Sequence, residues 1–267
     1  MKKKIPAMTP EVILFDLDDT LIVEKTSAEA AFREVSGHVR DKYGVDPLMF
    51  QSSVRMNARK VWYSLPAHPY CKKIGISSWE GLWAEFKGEH KMLRSLASYK
   101  DYYRFTSWYN TLLEFKINDK DFAIRLSEMF CSERRKRHVL FPETASVLEN
   151  LYAEYPLGLV TNGAPDLQRT KINGAGLDKY FRHIIISGEV NVGKPDRRIF
   201  EIALKMFGVR EESTIMVGDS IDTDIAGAAA SGIKTVWLKR DSSTCEEHAI
   251  RPGYIISDLS GLVPLFK

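Results

Sequence analysis

Cysteine is scarce in this sequence: three in 267 residues, at Cys71, Cys131 and Cys245. None stands in a CxxC pair, which argues against a cysteine-based zinc site, and an odd, sparse count suits a reducing compartment. Long apolar runs are missing too. The best of them, residues 12–23, is interrupted by Asp16, Asp18 and Asp19, whereas a membrane span needs about 20 mostly apolar residues. The start, Met1-Lys2-Lys3-Lys4-Ile5-Pro6, is basic without an adequate apolar stretch behind it, so no secretory signal is expected. The expected address is the cytoplasm, with no membrane partner. Charge excess is small as well. A formal net charge of +3 gives no reason to expect a nucleic-acid partner. Internal repeats and low-complexity tracts are absent. The chain is otherwise 44% hydrophobic and 27% charged, the composition of a folded protein with a sizeable core. At about 100–200 residues per domain, one or two domains are expected.

Two textures alternate along the chain. Val12–Phe15 is a short apolar run bounded by acids, as in a strand buried on both faces. A long stretch with helical spacing follows, with helices expected over 27–43, 50–63, 78–96, 105–115 and 121–135, punctuated by Pro47, Pro66 and Pro69. Residues 22–140 hold 21 Lys/Arg against 14 Asp/Glu, while the rest holds 17 against 21. Part of that excess is Arg134-Arg135-Lys136-Arg137, read as a solvated helix end or linker. From Phe141 onward strands and helices alternate. Strands are expected over 157–160, 183–187, 214–217, 234–238 and 254–256, with helices over 142–155, 166–172, 196–207 and 224–230. This is the pattern of βαβ units and a parallel sheet. The expected fold class is α/β, a Rossmann-like parallel sheet core with an inserted helical domain. The core would be discontinuous, 1–21 and 141–267, and the helical insertion would span 22–140.

Ligands of open parallel sheets bind beyond the carboxyl ends of the strands. The residues just past each expected strand are therefore informative. Asp16, Asp18 and Asp19 come after the first; Thr161, Asn162 and Gly163 after the second; Lys194, within Gly193-Lys194-Pro195, after the third; Gly218, Asp219, Ser220, Asp222 and Asp224 after the fourth. Any one of these alone is an ordinary turn or cap. Together they put acids, a hydroxyl and a lysine on one rim. Clustered carboxylates repel unless a cation joins them, and their oxygens suit Mg²⁺. Metal, lysine, hydroxyl and backbone N–H groups would make a pocket for a phosphoryl group. A carboxylate beside it can attack phosphorus, and a second one can move the proton.

At these residues the sequence resembles the haloacid dehalogenase superfamily of phosphohydrolases. Asp16-Leu17-Asp18-Asp19-Thr20-Leu21 resembles its first motif, Thr161-Asn162-Gly163 the second, Lys194 in Gly193-Lys194-Pro195-Asp196 the third, and Gly218-Asp219-Ser220 through Asp224 the fourth. The insertion lies where that superfamily places a helical cap. The resemblance implies that Asp16 is the nucleophile and a metal ligand. It implies that Asp18 is the general acid/base, its backbone carbonyl also on the metal, and that Lys194 stabilises Asp16 and the transferring group. Thr161 with Asn162 and Gly163 would hold the phosphoryl oxygens, and Asp219 would bind Mg²⁺. Thr20 would orient the Asp16 loop, and Asp224 would hold Lys194 or a metal-bound water. Asp19 and Asp222 read as loop-capping acids.

The expected function is a Mg²⁺-dependent phosphomonoester phosphatase acting on a small phosphorylated metabolite through an aspartyl-phosphate. A phosphomutase, a haloacid dehalogenase and a non-catalytic phospholigand-binding protein are the alternatives. Asp18 disfavours the dehalogenase, because halide leaves without needing a proton. In the insertion, four of the five tryptophans (Trp62, Trp79, Trp83, Trp108) and seven of the eleven tyrosines read as a core, with a few free to line a substrate pocket. Arg55, Arg59 and Lys60 read as a solvated helix face. His68, His90, His138 and His183 have no metal-ligand spacing, and Cys71 has no visible base partner.

Overall fold

The computed structural model describes residues 9–240 and 250–266. The basic start at Met1–Pro6 and Cys245 lie outside the described residues. All six expected strands form: β1 (Val12–Phe15), β2 (Leu157–Thr161), β3 (His183–Ile186), β4 (Thr214–Gly218), β5 (Lys234–Leu238) and β6 (Tyr254–Ile256). The helices in chain order are α1 (Glu24–Tyr43), α2 (Pro47–Ser64), α3 (His68–Ile74), α4 (Ser78–Gly81), α5 (Lys91–Glu114) and α6 (Lys120–Arg135), then α7 (Thr144–Tyr152), α8 (Pro165–Gly174), α9 (Ser187–Val190), α10 (Arg197–Phe207) and α11 (Ala226–Ala230). The described chain divides into two compact units.

The first unit takes the chain up to Val23, Val139–Asn162 and the chain from Ala175 on. It holds one sheet, parallel throughout, in the order β3-β2-β1-β4-β5-β6. Ile13 lies level with Leu157 on one side and Ile215 on the other. Every residue of β1, β2 and β4 is buried, as continuous apolar runs in a covered parallel sheet require. Val12, Leu14, Val160 and Met216 join Phe200 and Ala203 of α10 in one apolar cluster. The chain leaves and re-enters the unit through a short antiparallel pair outside the sheet: Val23 N–H donates to Val139 O at 2.8 Å, and Phe141 N–H to Leu21 O at 3.2 Å.

The second unit takes Glu24–His138 and Gly163–Gly174. The boundaries read from the sequence left 163–174 with the sheet. In the structure Ala164 and Leu167 belong to the apolar cluster of the helices, and Lys171, fully buried, lies 3.1 Å from Glu80. The centre of this unit is aromatic, with Phe32, Trp108 and Phe130 in mutual contact.

Three local expectations differ from the structure. Residues 78–96 and 105–115 do not form helices with those bounds: the first ends at Gly81 as the short α4. Residues 82–90 are not helical, and α5 then runs unbroken over 91–114. Phe86 takes a left-handed backbone, φ 55°, and the Asp166 carboxylate accepts from the N–H groups of Glu85 (2.8 Å) and Lys87 (3.1 Å), which satisfies the broken helix from outside. Pro69 does not merely punctuate: it sits in the first turn of α3, where no helical N–H is lost. The basic run is not simply solvated. Arg134 is 1% exposed, with Nη2 2.5 Å from Glu24 Oε1 and its guanidinium 5.0 Å from the Trp83 ring centre.

Candidate active site

The strand order turns back between β1 and β4, the place where open α/β sheets carry their ligand crevice. Asp16 follows β1 directly, and its N–H still donates to Val217 O across the sheet at 3.0 Å. Asp219 follows β4. Lys194 arrives from the segment after α9, and its Nζ lies 2.5 Å from Asp16 Oδ1 and 2.8 Å from Asp224 Oδ1. Asp16, Asp219 and Asp224 each offer an oxygen within 4.8 Å of the others. Asp16 and Asp224 are buried and Asp219 half-buried.

Burial pushes Asp16 up to about 6; Lys194 pulls it down and Asp224 pushes it further up. Burial likewise pushes Asp219 up to about 8, with repulsion from Asp16, Asp224 and Asp19 added and Lys194 opposing. Burial works to lower Lys194, but Asp16 and Asp224 outweigh it and the ammonium is held above its ordinary range. Three carboxylates thus face one ammonium. The cluster is short of positive charge, and its donors are all hard oxygens. That set fits a divalent cation of the Mg²⁺ kind.

The other candidate residues take distinct places. The Thr20 hydroxyl accepts from Asp219 N–H at 3.1 Å and donates to Asp219 Oδ1 at 3.2 Å, so it ties the Asp16 loop to the β4 end. Asp18 is half-buried in that loop, its backbone bridged to Ile22. Asp19 takes a left-handed turn, φ 57°, and its N–H donates to Ile22 O at 2.8 Å. Thr161 is the buried last residue of β2. The Asn162 side-chain amide faces the Lys194 segment. It donates to Lys194 O at 2.9 Å and accepts from Lys194 N–H at 2.8 Å, so it grips the lysine's backbone. Gly163 N–H donates to Ile74 O at 3.1 Å. Asp224 Oδ2 accepts from Ser220 N–H at 3.0 Å, in a π-turn over Ile221–Ile225. Asp222 in the same turn is exposed.

Several supporting residues escaped the sequence reading. Trp237, in β5, donates its indole N–H to Asp219 O at 2.8 Å. Arg240 donates to Thr20 O at 3.0 Å and to Glu143 Oε1 at 2.8 Å, with its guanidinium 3.4 Å from the Phe141 ring centre. Applying the strand-end rule to β5 as well would have drawn attention to it. Gly218 has no room for a Cβ, because the Asp224 carboxylate lies against it. At Gly227 a Cβ would stand 2.8 Å from Pro195 O and 2.9 Å from Pro195 Cα, so the missing side chain lets α11 approach the Lys194–Pro195 segment. Burial pushes the Cys71 thiol up to about 12, which leaves it inert at neutral pH. Among the described residues no histidine joins the acid cluster. His90 caps α5, and His183 packs on Phe207.

Comparison with known proteins agrees with this arrangement. The family model for haloacid dehalogenase-like hydrolase matches residues 10–232. A phosphoserine phosphatase of Thermus thermophilus is 37% identical over 231 residues, 86% of this chain and 89% of the relative. An N-acylneuraminate-9-phosphatase of Mus musculus is 26% identical over 262 residues, 96% of this chain and 93% of the relative. Among solved structures, the magnesium-bound HAD-hydrolase YfnB of Bacillus subtilis shares the fold with TM-score 0.66 at 20% identity, covering 96% of this chain and 98% of that one. A 2-haloacid dehalogenase of Pseudomonas syringae does so with TM-score 0.61 at 24% identity, covering 96% and 97%. With its parallel sheet, its acid cluster at the strand ends and a family match over most of its length, the chain belongs to the haloacid dehalogenase-like hydrolases.

Proposed function

We propose that the protein is a Mg²⁺-dependent phosphatase that cleaves a phosphomonoester of a small metabolite through a phosphoryl group carried on Asp16. The observation that carries this reading is the Asp16 carboxylate, 2.5 Å from Lys194 inside a cluster whose three carboxylates outnumber its one ammonium. Asp16, Asp219 and the Asp18 backbone carbonyl would hold Mg²⁺, and when bound it supplies neutralising charge for the phosphoryl oxygens. Asp16 attacks phosphorus, the ester P–O bond breaks, and Asp18 gives its proton to the leaving oxygen. Asp18 then takes a proton from water, which attacks the acyl phosphate, releases phosphate and restores Asp16. Lys194 offsets the charge that builds on the transferring group and is itself aimed by Asp224 and Asn162. The Thr161 hydroxyl would orient a phosphoryl oxygen. Asp18 favours an oxygen leaving group over halide, since only the former needs a proton.

The full-length relatives named as phosphatases support the same substrate class. Purified protein with Mg²⁺ and a panel including phosphoserine, nucleotides, sugar phosphates and phosphoglycolate should release phosphate. Asp16→Asn should lose at least about a thousandfold in turnover while keeping its circular dichroism, a magnitude typical for removing a nucleophile. A hydroxylamine-labile phosphoryl group should appear on the peptide holding Asp16. Undiminished phosphate release by folded Asp16→Asn overturns the assignment, and isomerised product without phosphate release points to a mutase instead.

A further inference from the structure

The helical unit contains a cavity of about 700 Å³, within the range of small-molecule sites. Its lining charge has one sign. α2 contributes Arg55 and Arg59, α3 contributes His68 and Lys72, and no Asp or Glu lines it. Each of these pairs is spaced i,i+4, so each helix turns two basic groups the same way. Like charges at that spacing, as at Arg55 and Arg59, weaken a helix and are not a stabilising surface pattern. Among the described residues, Arg55, Arg59 and Lys72 have no ion pair or side-chain hydrogen bond. Arg55 is half-buried all the same. Burial holds it below its ordinary pKa, with Glu29 opposing and Arg59 adding to the effect.

The walls are aromatic. The Arg55 guanidinium lies 4.5 Å from the Phe32 ring centre and 5.5 Å from that of Trp79, which fixes its plane while leaving its N–H groups unspent. Trp62 and Tyr63 extend the apolar lining. A guanidinium with free donors grips a carboxylate or phosphate through two parallel bonds. Flat rings beside it favour a flat apolar body.

We propose that this cavity binds an organic anion, its carboxylate or phosphate held by Arg55 and Arg59 beside Lys72, its flat apolar body against Trp79 and Tyr63. The anion has two possible sources: part of the enzyme's own substrate, or a separate effector. The binding claim stands without the phosphatase reading.

The test uses the full chain and anilinonaphthalene sulfonate, an anion on a flat aromatic body, with phenylnaphthylamine as its neutral counterpart. The sulfonate should saturate one site per chain and quench tryptophan emission. Arg55→Gln with Arg59→Gln should weaken it at least about tenfold and change the neutral probe less than about twofold. Near-UV circular dichroism checks that the variant is folded; if it is not, the exposed Arg59→Gln alone should still weaken the sulfonate about threefold. Equal affinity of wild type and folded variants, or no one-site binding, overturns the proposal. Displacement by naphthoate or by naphthyl phosphonate then tells which anion is preferred. A probe that raises KM alone marks the substrate as the source, one that lowers kcat alone marks an effector, and both outcomes uphold the site.

Discussion

Asp219 shows what a single side chain carries here. Its carboxyl titrates near 8 because it is buried and faces Asp16, Asp224 and Asp19. A carboxyl raised in the folded state stabilises the fold at low pH, and that contribution is lost as pH rises through the folded value. For Asp16 and Asp219 together the window runs from the ordinary 3.8 to about 6 and about 8. A cation bound there would replace the departing protons. The rise in unfolding temperature caused by Mg²⁺ should therefore be larger at pH 8 than at pH 6 and should vanish in Asp219→Asn, as differential scanning fluorimetry can measure. A shift of equal size in Asp219→Asn would remove the metal from this site. Arg240 acts one step further out, through Thr20. Arg240→Ala should lower kcat about tenfold, the worth of about 1.4 kcal/mol from a charge-assisted hydrogen bond, with KM nearly unchanged. Steady-state kinetics showing a KM effect alone would rule out positioning of the Asp16 loop.

Among the elements, α6 and α8 are joined through Glu24 of α1 by charges that are almost wholly buried. Arg134 lies 2.5 Å from Glu24, and Lys171 lies 3.5 Å from Glu24 and 3.1 Å from Glu80. Burial alone would raise Glu24, but Lys171 and Arg134 overcome it and hold the carboxyl below its ordinary 4.5. The folded value is depressed, so its stabilisation is present above pH 4.5 and is lost as pH falls below that. Urea midpoints should drop on acidification in wild type and much less in Glu24→Gln. Lys171→Met should cost about 3 kcal/mol at pH 7, because it leaves a buried carboxylate under-compensated. A loss below about 1 kcal/mol would make the cluster incidental. This cluster also explains a misread helix end: four basic residues in a row look solvated, yet Arg134 has a carboxylate 110 positions away.

On the scale of the whole molecule, α8 follows a sheet strand in sequence but is packed with the helices. Joining Val23 to Val139 is locally easy, since the two are already hydrogen-bonded. Removing 24–138 nevertheless strips the partners of Ala164, Leu167 and Lys171. The shortened chain should unfold over a broad, weakly cooperative urea transition with reduced near-UV circular dichroism. A sharp transition with native signal would show that α8 needs no helical partners. The sheet itself was legible because its information is local: Val12–Phe15 and Ile215–Val217 are unbroken apolar runs with an acid one or two residues beyond, and a parallel sheet puts those ends on one rim. For the same reason Asp16, Lys194, Asp219 and Asp224 could be singled out in advance. The grip of Asn162 on the Lys194 backbone, the indole of Trp237 under Asp219 and the anchor of Arg240 on Thr20 could not, since each joins residues between 18 and 220 positions apart. Periodicity and composition report which face a residue turns to the core. The partner it meets there, and whether a charge is buried or solvated, is decided by packing between distant segments, and only the folded chain has that.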